Sequence, residues 1–595
     1  MKKILALMSC LLFSVALTSC NSGRNASDKV YAQFLEDLNT LIARNEDFLG
    51  YVRTSSDKGE LQEKFLELRL QYKKTEAFAE YFFPTTVRLV NGAPLDEVED
   101  EENAVFEPGG LQVIEELIYT DEPLEKEELI RHVRKLQVNS KRMKMLWADI
   151  RITDTHVLDA IRLEMFRLIS LGISGFDTPA SGNAIAESKV VLLAAENYLG
   201  YYKSTLPEVD KLQERIGKAV KFLDQNKDFN SFDRAAFITE HINPFCEALH
   251  ENQVLASIPF SKDRKLLRSD AATLFEKNAF DPEAMVSVSR FSATADRVAL
   301  GRKLFFDARV SGSGKTNCGS CHNPALAYTD GLKTSNGAGK DPILRNAPTV
   351  MYAALQQNMF YDLRSPSLED QAADVIHNTD EMRGSLKDFA RMITGDKEYR
   401  QMFEKAYPEL GSIRPVFVQN ALATFVRSLN PFNSPFDRYM RGDKKALTDN
   451  QVAGFNVFMG KAKCGTCHFV PLFNGTVPPD YQRTESEVLG VTSSADFTNP
   501  VMDSDKGRGK YNRFPQWQHA FKTSTLRNIG KTAPYMHNGA YTTLEQVMEF
   551  YNEGGGAGLK INVPNQTLAP DKLNLTPEEI AQVIDFLESL TDQPQ

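Results

Sequence analysis

Two copies of one short pattern constrain this 595-residue chain more than any other feature: Cys318-Gly319-Ser320-Cys321-His322 and Cys464-Gly465-Thr466-Cys467-His468. Two thiols two residues apart, followed at once by an imidazole, are what covalent attachment of a c-type haem requires. The thiols add across the haem vinyl groups and the histidine becomes the proximal iron ligand. A zinc knuckle or a redox dithiol can use Cys-x-x-Cys, but neither needs a histidine directly after it in both copies. The chain is therefore expected to carry two covalent haem c groups, one on Cys318, Cys321 and His322 and one on Cys464, Cys467 and His468.

Such attachment in bacteria takes place after export, and the N-terminus agrees. Lys2 and Lys3 precede an apolar stretch, Ile4 to Leu17, too short for a mature membrane span and typical of a signal peptide. It ends in Leu17-Thr18-Ser19-Cys20, which resembles a bacterial lipobox. Residues 1–20 are read as a lipoprotein signal, Cys20 as the acylated residue and 21–30 as a polar tether, placing the protein in the periplasm, anchored to a membrane by lipid alone. Of seven cysteines, Cys10 leaves with the signal, Cys20 takes lipid and four take haem. Cys246 is left alone as a buried apolar side chain. Net charge is −10 with both signs interspersed, which excludes a basic stripe for nucleic acid.

Residues 31–262 show apolar side chains at three- and four-residue spacing, as in Phe34-Leu35-x-x-Leu38-x-x-Leu41-Ile42, and are predicted to form a helical bundle. The acidic run Asp96 to Glu102 is predicted to be a solvated loop within it. Tyr72-Lys73-Lys74-Thr75-Glu76 through Phe83-Pro84, then Gly110-Leu111-Gln112-Val113-Ile114-Glu115-Glu116-Leu117, resembles the imelysin-like family. The histidine of that family's Gly-x-His-x-x-Glu motif is replaced here by Gln112, a poor metal ligand, so a spacer or docking domain is expected more than a metal site. A boundary is expected between about 260 and 295, where Asp281-Pro282 breaks the helical pattern. Two cytochrome c-like helical domains follow, 290–440 and 441–595, and the fold class is all-α. The last helix opens on Thr576-Pro577-Glu578-Glu579, a capping box with proline in the first turn.

Residues from about 295 to 592 resemble the bacterial dihaem cytochrome c peroxidases, including the MauG-type enzymes. The matching stretches are Leu300-Gly301-Arg302-Lys303-Leu304-Phe305-Phe306-Asp307, Arg345-Asn346-Ala347-Pro348-Thr349-Val350, Ser367-Leu368-Glu369-Asp370-Gln371-Ala372, Asp380-Glu381-Met382, Thr525-Leu526-Arg527-Asn528 and Thr532-Ala533-Pro534-Tyr535-Met536-His537-Asn538-Gly539. The resemblance implies that the haem on His322 is the peroxidatic one, with Glu381 as distal acid/base and Gln371 as a distal amide. O–O cleavage needs a group that takes a proton from one peroxide oxygen and returns it to the other, and a desolvated carboxylate can do both.

Two departures from the family pattern bear on the chemistry. Many members carry a distal histidine in the loop after Leu332-Lys333-Thr334-Ser335, whereas here it reads Asn336-Gly337-Ala338-Gly339-Lys340 with no histidine up to Val350. The first haem is thus expected to be open without reductive priming, with His377 the only nearby substitute ligand. Phe360-Tyr361-Asp362-Leu363-Arg364 stands where the family has Trp-Asp-Gly-Arg, making Tyr361 either an electron relay or a packing residue. For the haem on His468, alignment on Thr543-Leu544-Glu545-Gln546-Val547 puts Tyr551 at the sixth-ligand position, with Met548 one turn earlier. The family's calcium site maps onto Asn346, Thr532 and Pro534.

The expected activity is reduction of hydrogen peroxide to water with electrons from a small cytochrome or a membrane-linked donor. The alternatives are a MauG-type enzyme that oxidises a protein substrate, or a lipid-anchored electron-transfer module. A homodimer is left open.

Overall fold

The computed structural model describes residues 25–99, 104–286, 288–338, 342–409 and 411–593. The expected signal peptide and Cys20 lie outside them. The N-terminal bundle comprises α1 (Ala26–Thr54), α2 (Lys58–Phe82), α3 (Pro84–Asn91), α4 (Leu111–Tyr119), α5 (Lys126–Trp147), α6 (Asp154–Arg167), α7 (Ala184–Gly200), α8 (Val209–Gln225), a single turn α9 (Arg234–Ala236) and α10 (Asn243–Leu255). The spacing that predicts the bundle is the spacing that is buried: Val30, Phe34, Leu38, Leu41, Phe48 and Val52 form the inner stripe of α1. Helix α1 begins at Ala26, so the expected tether of residues 21–30 is cut to half that length by a capping box on Asn25 and Asp28.

Two other expectations change. The acidic run is not simply a solvated loop. Glu97–Glu99 (β1) pairs antiparallel with Ala104–Phe106 (β2), with Val98 opposite Val105. The hairpin reaches the C-terminal half: Glu97 pairs with both Arg88 and Arg483, and Asp96 accepts from Gln516 at 2.8 Å. Residues 260–295, expected to be a boundary, instead pack. Leu266, Leu267, Leu274, Phe275 and Phe280 are buried; the Phe275 ring meets Phe436 at 6.0 Å, and Phe280 meets Phe432 at 6.2 Å and Tyr481 at 5.0 Å.

The haem-motif half continues with α11 (Ala295–Phe305), α12 (Leu368–His377), α13 (Leu386–Thr394), α14 (Lys397–Ala406), α15 (Pro415–Arg427), α16 (Pro435–Met440), α17 (Asp449–Met459), a two-stranded ribbon of β3 (Ser486–Val488) and β4 (Ala520–Lys522), α18 (Leu544–Asn552), the short α19 (Gly555–Gly558) and α20 (Pro577–Glu588). Each motif is preceded by a helix that crosses a later one at a glycine. Gly301 of α11 lies so close to α15 that an added Cβ would fall 1.9 Å from the Ala421 carbonyl. Gly454 of α17 stands in the same relation, again 1.9 Å, to the Gln582 carbonyl of α20. The repetition shows two copies of one helix-crossing design. Between Gly460 and Thr543 the second copy is mostly irregular chain rather than the helical segment expected.

The apolar core does not respect the sequence boundary. One continuous cluster joins bundle residues such as Phe166, Leu168 and Phe245 to Phe436, Phe455, Phe473 and Phe586 around the second motif, while the first motif's region has its own cluster around Leu304, Phe389 and Phe425. Helix α6 runs on as a π-helical turn, Leu168–Gly172, whose residues pack against Cys464–Thr466. Among the described residues no helix is long and apolar enough to cross a membrane.

Candidate active site

Each motif begins with a 3₁₀ turn, Cys318–Ser320 and Cys464–Thr466, that brings the two thiols and the histidine together; His322 N donates to Cys318 O and His468 N to Cys464 O, both at 2.9 Å. The histidines are oriented alike. His322 Nδ1 lies 3.0 Å from the Tyr328 carbonyl and His468 Nδ1 lies 3.2 Å from the Phe473 carbonyl. A carbonyl can only accept, so it fixes the proton on Nδ1 and leaves the Nε2 lone pair for a metal. Burial pushes both imidazoles down, His468 to about 4, which keeps them neutral as ligands must be. All four thiols are free of disulfides, and burial pushes each one up. Neutral, carbonyl-oriented imidazoles and unpaired thiols fit covalently held haem at both places. The carbonyl behind His468 is itself held: Leu526 N donates to Phe473 O at 2.9 Å, and buried Arg527 donates through Nε to Pro471 O at 2.9 Å and through two nitrogens to Asp437, both at 2.9 Å.

Glu381 follows α12, in the turn Asn378–Met382, and lies close enough to the Cys321 thiol to influence it electrostatically. Burial raises its carboxyl, a rise that the Arg364 charge and the hydrogen bond from Asn378 Nδ2 to Oε1, 2.9 Å, partly offset. Arg364 is fixed by Asp362 at 2.8 and 2.9 Å and by stacking over Phe360, 3.5 Å from its centroid. The loop that lacks a histidine packs against the backbone of Asp380, the residue before Glu381. Ala338 N donates to Asp380 O at 3.0 Å, and Gly337 lies so close that a Cβ would sit 2.2 Å from the same carbonyl. Gln371 sits half-buried on α12. His377 faces solvent, and its Nε2 accepts from Leu386 N at 3.4 Å.

Tyr361 lies in the seam between the two motif regions. Its carbonyl accepts from Lys522 N of β4 at 2.6 Å, its hydroxyl reaches Asn346 Oδ1 at 3.5 Å, and burial raises its phenol. Asn346 N donates to His537 O at 2.9 Å, which ties it to the segment carrying Thr532 and Pro534, while its Nδ2 donates to Leu332 O at 2.8 Å. Among the described residues no three His, Cys, Asp or Glu side chains converge as a metal site. A calcium ion in this seam would therefore rest on amide and carbonyl oxygens.

Tyr551 projects from α18. Burial first, then the nearby Cys467 and Cys464 thiols, push its phenol up. Met548, one turn earlier, is buried in the continuous core. Glu487 on β3 also senses this place: burial pushes its carboxyl up to about 7, and it acts electrostatically on both Cys467 and Tyr551. Sequence reasoning missed Glu487, Asn378 and the roles of Arg364 and Arg527. Asn378 reaches Glu381 within one turn and Arg364 pairs with Asp362 two residues away, whereas Glu487 and Arg527 meet their partners only through the tertiary fold.

In the bundle, the residues that resemble a metal motif serve the fold. Gln112 Nε2 donates to Asn91 O at 2.9 Å, and Glu115 Oε1 accepts from Ala180 N and Ser181 N at 3.1 and 2.8 Å. Glu115 borders a buried charge network in which Arg69 pairs with Glu187, Lys73 with Glu76 and Asp177 at 2.7 and 2.5 Å, and Arg167 with Asp177 and Glu80, both at 2.7 Å.

Residues 295–445 match the family model described as di-haem cytochrome c peroxidase. The similar proteins include cytochrome-c peroxidase IdrP2 of Denitromonas iodatirespirans, 31% identical over 317 residues that make up 51% of this chain and 83% of that protein. The methylamine utilization protein MauG of Methylorubrum extorquens is 33% identical, with 53% and 83% covered. Cytochrome c551 peroxidase of Nitrosomonas europaea is 33% identical, with 50% and 81% covered.

Proposed function

Because this chain belongs to the dihaem cytochrome c peroxidase and MauG family, we propose that it reduces hydrogen peroxide to two waters with two electrons and two protons, working from the oxidised state without priming. The observation that supports this reading is a desolvated carboxyl, Glu381, near enough to Cys321 of the first motif to act on its thiol, while residues 336–350 contain no histidine that could serve as a further iron ligand.

When bound, haem supplies the iron site for peroxide and the route for electrons between the two centres. The chain's own residues supply the rest. Glu381 takes a proton from one peroxide oxygen and returns it to the departing one. Asn378 and Arg364 keep its carboxylate form accessible while burial keeps it basic enough to act. Gln371 is proposed to orient the peroxide or the water formed from it. Tyr361, between the motif regions and next to Arg345, is proposed as a relay that gives up its phenolic proton when oxidised. Tyr551 is proposed as the sixth ligand of the second haem, a hard phenolate donor that favours ferric iron. Asn346, Thr532 and Pro534 are proposed calcium oxygens, holding the seam. The donor is proposed to be a small cytochrome or a membrane-linked protein in the periplasm.

Optical and EPR spectra of the oxidised holoprotein, followed by peroxide turnover with a reduced cytochrome, test the reading. One high-spin and one low-spin haem with immediate turnover are expected, and Glu381→Gln should lower turnover by roughly 10²–10⁴-fold. Two low-spin haems, or a Glu381→Gln variant as fast as the parent, would defeat it. The phenol beside the second motif also favours a second reading, oxidation of a protein side chain as a MauG-type enzyme would perform. Peroxide consumption that stays slow with every soluble donor would favour it.

A further inference from the structure

The far end of the bundle, away from the second haem motif, collects several helix ends. Helix α1 starts there beside the end of α5: Tyr31 hydroxyl donates to Trp147 O at 3.1 Å, Trp147 Nε1 donates to Tyr31 O at 3.3 Å, and the rings stack at 4.9 Å. Helix α6 starts there too, and Thr155 Oγ1 donates to Pro259 O at 2.8 Å, which brings in the chain leaving α10. Large apolar side chains are left in solvent at this end: Met145 at 67% exposure, Leu146 at 37%, Val254 at 54% and Leu255 at 56%. On the α5 side of this end the charge is basic: between Asn139 and Arg151 stand Lys141, Arg142, Lys144 and Arg151, all exposed, against Asp149, whereas Asp154 at the start of α6 and Glu251 on the last turn of α10 bring acid to the other side. Lys141 shares its charge with Glu46 at 3.0 Å, and Asp28 and Lys29 at the start of α1 cancel.

The position of the expected lipid anchor supplies the occupant. Five residues separate Cys20 from Asn25, and an extended chain spans at most about 3.3–3.6 Å per residue, so Asn25 stays within about 18 Å of an acylated Cys20. Tyr31 lies six residues further on, about 9 Å along the helix. With so short a leash, the end of the bundle that holds Met145 and Lys144 is the part of the molecule pressed nearest the lipid. Arg142 and Lys144 beside the exposed Met145 and Leu146 match an anionic headgroup layer over hydrocarbon.

We infer that this end of the bundle, formed by the last turn of α5, the start of α6 and the end of α10, is a contact surface for an anionic phospholipid bilayer. The inference rests on the reading of Cys20 as the acylated residue. Helix α6 and its π turn then act as a standoff. Nineteen residues from Asp154 to Gly172, at about 1.5 Å each, separate this surface from the second haem motif by nearly 30 Å. The haem half is thereby presented outward, to a donor in solution.

Flotation with large unilamellar vesicles tests the surface independently of the anchor. The full holoprotein, exported behind a cleavable secretory signal with Cys20→Ser, carries no acyl chain. At low ionic strength it is expected to float with vesicles containing phosphatidylglycerol and not with pure phosphatidylcholine. Each cation near such a surface adds roughly fivefold in affinity, so Lys141→Gln/Arg142→Gln/Lys144→Gln together should weaken partitioning on the order of 20- to 100-fold. Met145→Ser/Leu146→Ser should also weaken it, with haem spectra unchanged because all five side chains are exposed. Absence of flotation, or flotation untouched by the triple substitution, overturns the inference. The mass of the mature N-terminus of the native chain reports acylation at Cys20 separately, so a failed anchor and a failed surface are told apart.

Discussion

Replacing Arg364 with glutamine is the sharpest probe of the proposed acid/base. Arg364 is the principal charge that lowers the Glu381 carboxyl against the rise imposed by burial. An opposite charge close to a carboxylate lowers it by one to three units. Because Arg364 is shared with Asp362 at 2.8 and 2.9 Å, the lower figure applies, about one unit or 1.4 kcal/mol. Asp362 keeps Arg345 at 2.5 Å, so it is not left buried without a partner. The base form of Glu381 is the ionised one, and raising its pKa depletes that form at low pH. In kcat/KM for peroxide, measured by stopped flow across pH, the acid limb of Arg364→Gln should move up by about one unit. Rates on that limb should fall by up to about tenfold, with the plateau above it unchanged. Asn378→Ala removes a hydrogen bond that also favours the carboxylate, and should move the limb in the same direction. A limb that stays in place, moves down, or gives way to a uniform loss at every pH would show that Glu381 is not the group that titrates.

Tyr551→Met exchanges a hard phenolate donor for a thioether and should raise the midpoint potential of the second haem in spectroelectrochemical titration; an unchanged potential would remove Tyr551 from the coordination sphere. Glu164 is buried in the bundle beside Glu76, and burial, then Glu76, raises it well above its ordinary value. A raised acid holds its proton in the folded state, so its contribution falls as pH rises above about 4.5. Glu164→Gln should therefore raise Tm by a few degrees at pH 8, by an amount that shrinks towards pH 5; the same gain at both values would contradict this. Gly454→Ala forces a methyl group into the Gln582 carbonyl and should cost about 1–3 kcal/mol in thermal unfolding.

Much of the bundle was legible because apolar spacing in α1 translates directly into a buried stripe, and the two haem motifs were legible because their chemistry is written in five adjacent residues. What was not legible depends on partners far along the chain. Three-residue strands such as Glu97-Val98-Glu99 are too short to give a strand signal, and the hairpin's contacts to Arg483 and Gln516 lie about four hundred residues away. Leu266, Phe275 and Phe280 have no helical spacing, so their burial cannot be read locally. Glu381 could be singled out only by its place in an order of motifs, because a lone carboxylate after Asp380 looks like surface. Asn378 and Glu487 had no such order to mark them.

The shared core decides what kind of attachment the bundle is. A tethered module would meet the haem half through polar, separable contacts. Here Phe176 meets Phe469, the residue after the proximal His468, at 5.9 Å, and the guanidinium of Arg234 lies against Gly460 where a Cβ would fall 2.6 Å away. Ala235 N donates to Asn456 Oδ1 at 3.0 Å, and Asn456 Nδ2 returns the bond to Asp233 at 3.0 Å. Separating these surfaces would expose aromatic side chains and strand buried polar groups at once, each at a cost of a few kcal/mol. The bundle is therefore a fixed wall of the second haem's domain. On the proposed electron route, a donor to a haem on His468 would be kept off the bundle's side and would approach from one of the faces the bundle leaves open.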